Sequence, residues 1–319
     1  MEHVAFIGTG VMGRSMAGHI LERGYPLTVY SRTRSKTEEL IKRGASWAGT
    51  PGEAAAGADV VISIVGYPRD VEEIYLGSGG IVERAGSGAV LADMTTSSPS
   101  LARRIAEKAG ARGVLSLDAP VSGGDVGAKN AALSIMVGGE QRAFDKILPL
   151  FQCMGKNIVL QGPSGAGQHC KMANQIVIAS TMMAVSEALV YGAKAGLHPL
   201  TMLKSIESGA AGSWSLSNLV PRMLKGDFNP GFFVKHFIKD MGIALDAAKE
   251  LGAKLPGLEK AEQLYRSLAA MSREQLEKAA DMAASLGGNI ESARFGAELA
   301  NGGDLGTQAI FLLYASGAV

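Results

Sequence analysis

Short apolar runs rich in β-branched residues alternate, over the first half of the chain, with stretches whose apolar residues recur every three or four positions. The runs Val4-Ala5-Phe6-Ile7, Leu27-Thr28-Val29-Tyr30, Val60-Val61-Ile62-Ser63-Ile64, Val90-Leu91-Ala92-Asp93, Leu115-Ser116-Leu117-Asp118, Ser134-Ile135-Met136-Val137 and Ile158-Val159-Leu160 read as strands. Between them, residues 14–23, 36–43, 100–109 and 141–151 carry helical spacing, and this alternation predicts a doubly wound α/β sheet. Past Leu160 the strand-like runs stop. Residues 168–195 then form one long helical pattern that is apolar nearly all round, which predicts a buried helix. Breaks at Gly196, Pro199, Pro221, Pro230, Pro256 and Gly287-Gly288 divide the remainder into further helices.

The turn after the first strand sharpens this picture. Gly8-Thr9-Gly10-Val11-Met12-Gly13 has the G-x-G-x-x-G spacing of a dinucleotide-binding strand-turn-helix. Gly8 permits the tight turn, Gly10 lets the backbone approach a pyrophosphate, and Gly13 lets helix and strand come close, so the phosphates meet the positive end of the helix. In a chain with 42 glycines the spacing alone is weak, and the flanking strand and helix give it weight. The expected architecture is a Rossmann-type domain over residues 1–163 and an all-α domain over 164–319, joined by the long helix.

The second strand ends in Ser31-Arg32-Thr33-Arg34-Ser35-Lys36, where an NAD-binding unit usually places a carboxylate for the ribose 2′-hydroxyl. None stands there. Arg32, Arg34 and Lys36, with the hydroxyls of Ser31 and Thr33, suit a 2′-phosphate, so NADP(H) is favoured while NAD(H) stays open. The plainer alternative is a solvated basic loop.

At 319 residues, 47% hydrophobic and 19% charged, the chain can bury a large core. With 31 basic against 30 acidic residues and no long basic run, nothing marks a nucleic-acid or membrane surface. Cys153 and Cys170, far apart and outside metal-ligand spacing, fit a reducing cytoplasm and predict neither disulfides nor a metal site. The chain opens directly on a strand, so no leader peptide is expected. The small-molecule chemistry this favours has two candidate sites. Asp118-Ala119-Pro120-Val121-Ser122-Gly123-Gly124 follows a strand, and Ser122, Gly123 and Gly124 can cradle a carboxylate. Lys171 and Asn174 stand three apart near the start of the long helix, on one face. Lys171 either snorkels to solvent or, partly desolvated, exchanges a proton with an alcohol or carbonyl; spacing alone does not choose.

The glycine fingerprint, Asp93-Met94-Thr95-Thr96, the DAPVSGG run, Gly165-Ala166-Gly167 leading to Lys171 and Asn174, and Lys239-Asp240 occur in this order. Together they resemble the β-hydroxyacid dehydrogenases, relatives of 3-hydroxyisobutyrate dehydrogenase, with a C-terminal domain like that of 6-phosphogluconate dehydrogenase. The resemblance runs to about Leu268 and returns at Leu305-Gly306-Thr307-Gln308-Ala309. It implies an NAD(P)-dependent oxidoreductase that moves a hydride between nicotinamide and a small β-hydroxyacid or its semialdehyde, as a homodimer or homotetramer. It further implies that Lys171 is the acid/base, Asn174 orients the substrate, and Ser122, Gly123 and Gly124 hold its carboxylate. Thr96 and Lys239 would touch the cofactor, Val65 would line its loop, and Asp240 would fix Lys239 unless the two are an ordinary surface pair.

Two features depart from the family. Gln175 stands where a second asparagine is common, and residues 271–301 form an insertion that reads as extra helix. Trp214 and Phe232-Phe233 are candidates for walling the substrate site, against a plainer reading as core anchors. The rivals are an imine reductase, which generally lacks a lysine at the position of Lys171, and a non-catalytic NADP-binding sensor or assembly module.

Overall fold

The computed structural model describes residues 2–288 and 290–319. The chain divides into two compact units, residues 1–172 and 173–319. Nine strands form the sheet of the first unit: β1 (Val4–Ile7), β2 (Leu27–Tyr30), β3 (Ser46–Trp47), β4 (Val60–Ser63), β5 (Val90–Asp93), β6 (Leu115–Asp118), β7 (Val121–Ser122), β8 (Leu133–Gly138) and β9 (Gly155–Gly162). Their order is β3-β2-β1-β4-β5-β6-β8-β7, with β9 beside β8. Strands β1 to β6 pair in parallel, whereas β8 runs antiparallel to β6 and β7. The order reverses between β1 and β4, and in such sheets ligands bind beyond the carboxyl ends of the strands at that point.

Because helices cover both faces, the central strands are apolar without alternation. Val4 and Phe6 of β1 enter one core with Met16, Ile20 and Ile62, while Ala5 and Ile7 enter the other with Val61, Tyr75 and Leu91. The expected helices at residues 100–109 and 141–151 are Pro99–Gly110 and Gln141–Phe151. The one at 36–43 is a 3₁₀ turn, Arg34–Thr37, followed by the helix Glu38–Lys42.

The expected boundary at 163/164 lies just before the long helix, Ala166–Lys194, whereas the two units divide inside it. Its first turn is tied to the sheet: the Gly165 and Gln168 N–H groups donate to Asp118 at 2.7 and 2.8 Å. A Cβ on Gly167 would lie 2.4 Å from the Met136 carbonyl oxygen, so only glycine lets the helix sit this close.

The second unit contains the rest of that helix and the helices Pro199–Ile206, Trp214–Leu224, Val234–Glu250, Pro256–Ala270, Arg273–Ser285 and Ile310–Ala315. Proline opens two of them, where its missing N–H costs nothing. Phe237 and Tyr265, with ring centroids 5.0 Å apart, anchor the core between Val234–Glu250 and Pro256–Ala270.

The expectation that the long helix is buried all round is corrected. About one third of its most apolar 18-residue window is buried. Ala173, Val177, Ser180, Ala184, Glu187 and Tyr191 recur at three- to four-residue spacing as an exposed stripe. The sequence rule fails because the remaining helices of one chain cover only part of the circumference. By length and composition, at mean hydropathy 1.6, this helix could cross a membrane, yet its Gln168 and Gln175 are buried against protein partners. The insertion does form a helix, Arg273–Ser285, begun by a reciprocal cap between Ser272 and Gln275. Residues 286–288 and 290–301 lie outside it, residue 289 of the insertion falling outside the described residues; Arg273 donates to the carbonyls of Phe295 and Gly296, and a bridge between Ser272 and Asn301 closes the base.

Candidate active site

In the first unit, the glycine turn meets the demands of a dinucleotide cradle. Gly8 has φ +99°, and a Cβ there would lie 2.1 Å from the Ile64 carbonyl oxygen; one on Gly13 would lie 1.9 Å from the Gly8 oxygen. Above Gly10 there is nothing within 4 Å. The helix that follows, Val11–Glu22, has neither a side-chain cap nor an acidic residue in its first turn. Its leading N–H groups can therefore receive an anion. Thr9 is buried and its Oγ1 has no hydrogen-bond partner among the described residues. Val11 and Met12 complete the turn, Val11 exposed and Met12 half-buried. Open space, uncapped amides and an orphan hydroxyl together fit a pyrophosphate.

At the end of β2, Ser31 is half-buried and Arg32, Thr33 and Lys36 are exposed. The Arg32 side chain is 85% exposed and lies 3.6 Å from Asp70. Arg34 stacks over Trp47 at 4.4 Å, so that guanidinium is engaged away from the cluster. At the ends of β4 and β5 a buried network holds the next two loops. Asp93 Oδ1 accepts from Ser63 Oγ at 2.9 Å and from the Thr95 N–H at 3.1 Å, and Thr95 Oγ1 accepts from the Val65 N–H at 2.9 Å. Val65 and Thr96, two of the expected cofactor contacts, thus sit on segments braced by one carboxylate.

Beyond β6, Ser122 ends β7, and Gly123 and Gly124 follow with φ +123° and +62°. Only glycine adopts consecutive left-handed positions of this kind without strain. Ser122 and Gly124 are half-buried and Gly123 exposed, so the cradle is accessible. Lys171, on the long helix, is 6% exposed. The solvent-snorkelling alternative is therefore excluded for it.

Asp93 and Asp118, register partners on β5 and β6, are both pushed up to about 6, in each case chiefly by burial. Backbone donors work against that shift, the N–H groups of Gly165 and Gln168 on Asp118 and that of Thr95 on Asp93.

In the second unit, four residues form a chain. Asn174 Nδ2 donates to Gln175 Oε1 at 2.7 Å, Gln175 Nε2 donates to Asp240 Oδ2 at 2.6 Å, and Lys239 Nζ lies 2.9 Å from Asp240 Oδ1. Lys239 is 13% exposed and Asp240 is buried, so this is no surface pair. Gln175 is buried and its extra methylene reaches Asp240 while holding the Asn174 amide. Trp214 is 70% exposed, which rules out the core-anchor reading. Phe232 and Phe237 meet edge to face at 5.8 Å. Among the described residues, no cluster of three His, Cys, Asp or Glu side chains could hold a metal ion.

Sequence reasoning gave no role to Gln168, to the Asp93 carboxylate or to Gln175 as a bridge. Asp93 opens the Asp93–Thr96 motif and Gln168 follows Gly167 directly, yet a buried amide or carboxylate leaves no periodic signal; only the partners reveal it.

Two family models match the chain: the NAD binding domain of 6-phosphogluconate dehydrogenase over residues 3–162, and the NAD-binding domain of NADP-dependent 3-hydroxyisobutyrate dehydrogenase over residues 165–287. A probable 3-hydroxyisobutyrate dehydrogenase-like protein of Arabidopsis thaliana is 51% identical over 268 residues, covering 84% of this chain and 80% of that one. The 2-hydroxy-3-oxopropionate reductase of Escherichia coli is 38% identical over 277 residues, covering 87% and 94%. The structure of Mycobacterium tuberculosis 3-hydroxyisobutyrate dehydrogenase with L-serine superposes at a TM-score of 0.82, with 28% identity and 98% of both chains covered. Solved imine reductases, below 25% identity, share the fold alone. A glycine turn shaped for a dinucleotide, a buried lysine on the long helix and matches along nearly the whole chain converge on one conclusion: the chain belongs to the β-hydroxyacid dehydrogenases, the NAD(P)-dependent oxidoreductases related to 3-hydroxyisobutyrate dehydrogenase.

Proposed function

We propose that the chain is an NADP-preferring enzyme that interconverts a small β-hydroxyacid and its semialdehyde or keto acid, with Lys171 as acid and base. The observation that carries this reading is a lysine 6% exposed on the long helix, whose start is tied by hydrogen bonds to Asp118, the residue that opens the segment leading to the Ser122–Gly124 cradle. Bound nicotinamide supplies hydride exchange with the carbinol carbon. The protein's own residues do the rest. The amides of Gly10 to Gly13 take the pyrophosphate, and Ser31, Arg32, Thr33 and Lys36 take the 2′-phosphate. Val65, Thr96 and Lys239 contact the cofactor, Lys239 being fixed by Asp240. Ser122 Oγ and the N–H groups of Gly123 and Gly124 pin the substrate carboxylate. Asn174, its amide held by Gln175, orients the reacting oxygen, and Trp214 contacts the substrate. Lys171 Nζ donates a proton to that oxygen in reduction and removes it in oxidation.

A well-placed proton donor contributes about 10²- to 10⁴-fold. Lys171→Ala is therefore expected to lose that much turnover while its NADPH affinity stays within about twofold. The assay is initial rates with NADPH and NADH against glyoxylate, succinic semialdehyde and methylmalonate semialdehyde, and with the oxidised cofactors against 3-hydroxyisobutyrate and serine. Wild-type turnover in the variant removes Lys171 from the mechanism. Equal rates with NADH return the residues after β2 to a solvated loop, and tight binding without turnover on any substrate favours a sensor.

We infer further that the enzyme works as a homodimer or homotetramer in the cytoplasm. The exposed stripe on the long helix and two free cysteines support this.

A further inference from the structure

We propose that Gln168 is a positioning residue that fixes the spacing between the Thr96 segment and the Lys171 turn. The proposal rests on the reading of Thr96 as a cofactor contact and Lys171 as the acid/base. Gln168 is fully buried in the first turn of the long helix. Its Nε2 donates to the Thr95 carbonyl at 2.7 Å and its Oε1 accepts from the Ser97 N–H at 2.9 Å. One side-chain amide thus pairs with the peptide groups on either side of Thr96, much as a neighbouring strand would. The backbone of Gln168 is fixed as well, because its N–H donates to Asp118 Oδ2 at 2.8 Å. Asp118 also begins the segment that leads to Ser122, Gly123 and Gly124. Lys171 follows three residues later, on the same helical face.

The chemistry of this position is demanding. The site offers one acceptor and one donor, spaced across a single residue and reached from a helix one layer away. A primary amide at the end of two methylenes satisfies both. An ionised glutamate meets the Ser97 N–H but cannot donate to Thr95, and methionine fills the volume while meeting neither. Since a helix moves as a stiff unit, any shift between its first turn and the Thr95–Ser97 backbone is carried to Lys171. Misplacement by about 1 Å can cost on the order of 10²-fold in rate.

The test uses the full chain with Gln168→Met and Gln168→Glu. In Q168M, kcat is expected to fall about 10- to 100-fold. NADPH Kd stays within about twofold, and exchange of the Ser97 amide hydrogen speeds up by roughly tenfold or more while the strand cores stay protected. In Q168E, the rate relative to wild type should rise toward acid pH, where a neutral carboxyl can both donate and accept. A melting temperature lowered with kcat per folded molecule intact would make Gln168 merely structural and overturn the proposal, as would a Ser97 amide as protected as in wild type. Should Q168M fail to fold, the Q168E pH ratio decides, and a flat ratio overturns it. Lys171→Ala measured alongside separates the two readings. An inactive K171A beside a fully active Q168M sinks this inference alone, whereas an active K171A sinks the acid/base reading beneath it.

Discussion

Gly8, Gly10 and Gly13 answer three different steric demands within six residues. Gly8 and Gly13 have backbone oxygens about 2 Å from where a Cβ would lie, and a backbone oxygen cannot rotate away as a side chain does. Gly10 faces open space. Gly13→Ala is therefore expected to cost about 1–3 kcal/mol of stability or more through overpacking. Gly10→Ala should change stability by less than about 0.5 kcal/mol, as for a substitution that meets no protein atom, yet weaken NADPH binding at least tenfold, because its methyl occupies the phosphate's approach. Urea denaturation and fluorescence titration on both variants check this. A Gly10→Ala protein that binds NADPH like wild type would place the pyrophosphate elsewhere.

The ends of β5 and β6 form a second unit of behaviour, because Asp93 and Asp118 sit side by side and are both buried. Each is held near 6 rather than the ordinary 3.8, chiefly by burial. The native state thus keeps these protons to higher pH than the unfolded chain does. Their stabilising protonation is fully present below about pH 4 and is lost as pH rises through about 6, by up to about 3 kcal/mol per carboxyl. Asp93→Asn keeps an Oδ1 acceptor for Ser63 and Thr95 and removes one of the two titrations. The stability of wild type relative to this variant should therefore decline between pH 4 and pH 7, read from denaturant midpoints across that range. Parallel profiles would mean that Asp93 titrates near its ordinary value.

For the whole molecule, the long helix matters most through the surface it leaves uncovered. Val177 is 65% and Tyr191 74% exposed on a helix otherwise rich in apolar residues. Large exposed apolar side chains aligned on one helix face mark contact surfaces, and a second copy of the chain is the partner proposed above. Val177→Glu combined with Tyr191→Glu is expected to shift sedimentation toward the monomer with an unchanged circular dichroism spectrum. A wild-type protein that already sediments as a monomer would leave the stripe facing solvent.

Local rules made much of this legible in advance. Strand runs, glycine spacing and proline breaks act over a few residues, so the sheet and the glycine turns at Gly8 and at Gly123–Gly124 follow from the chain read as text. Lys171 is visible as a residue type, and the role proposed for it comes from ordered resemblance rather than spacing. What only the tertiary structure decided is pairing across long separations. Gln168 meets Thr95 and Ser97 more than 70 residues away, and Gln175 meets Asp240 at a separation of 65. A buried amide has no periodicity and no characteristic neighbours in sequence; its meaning lies in which orphan donor and acceptor the fold brings to it. The same holds for the long helix, whose composition fixes that it is apolar, while the number of helices around it determines how much of that surface one chain can cover.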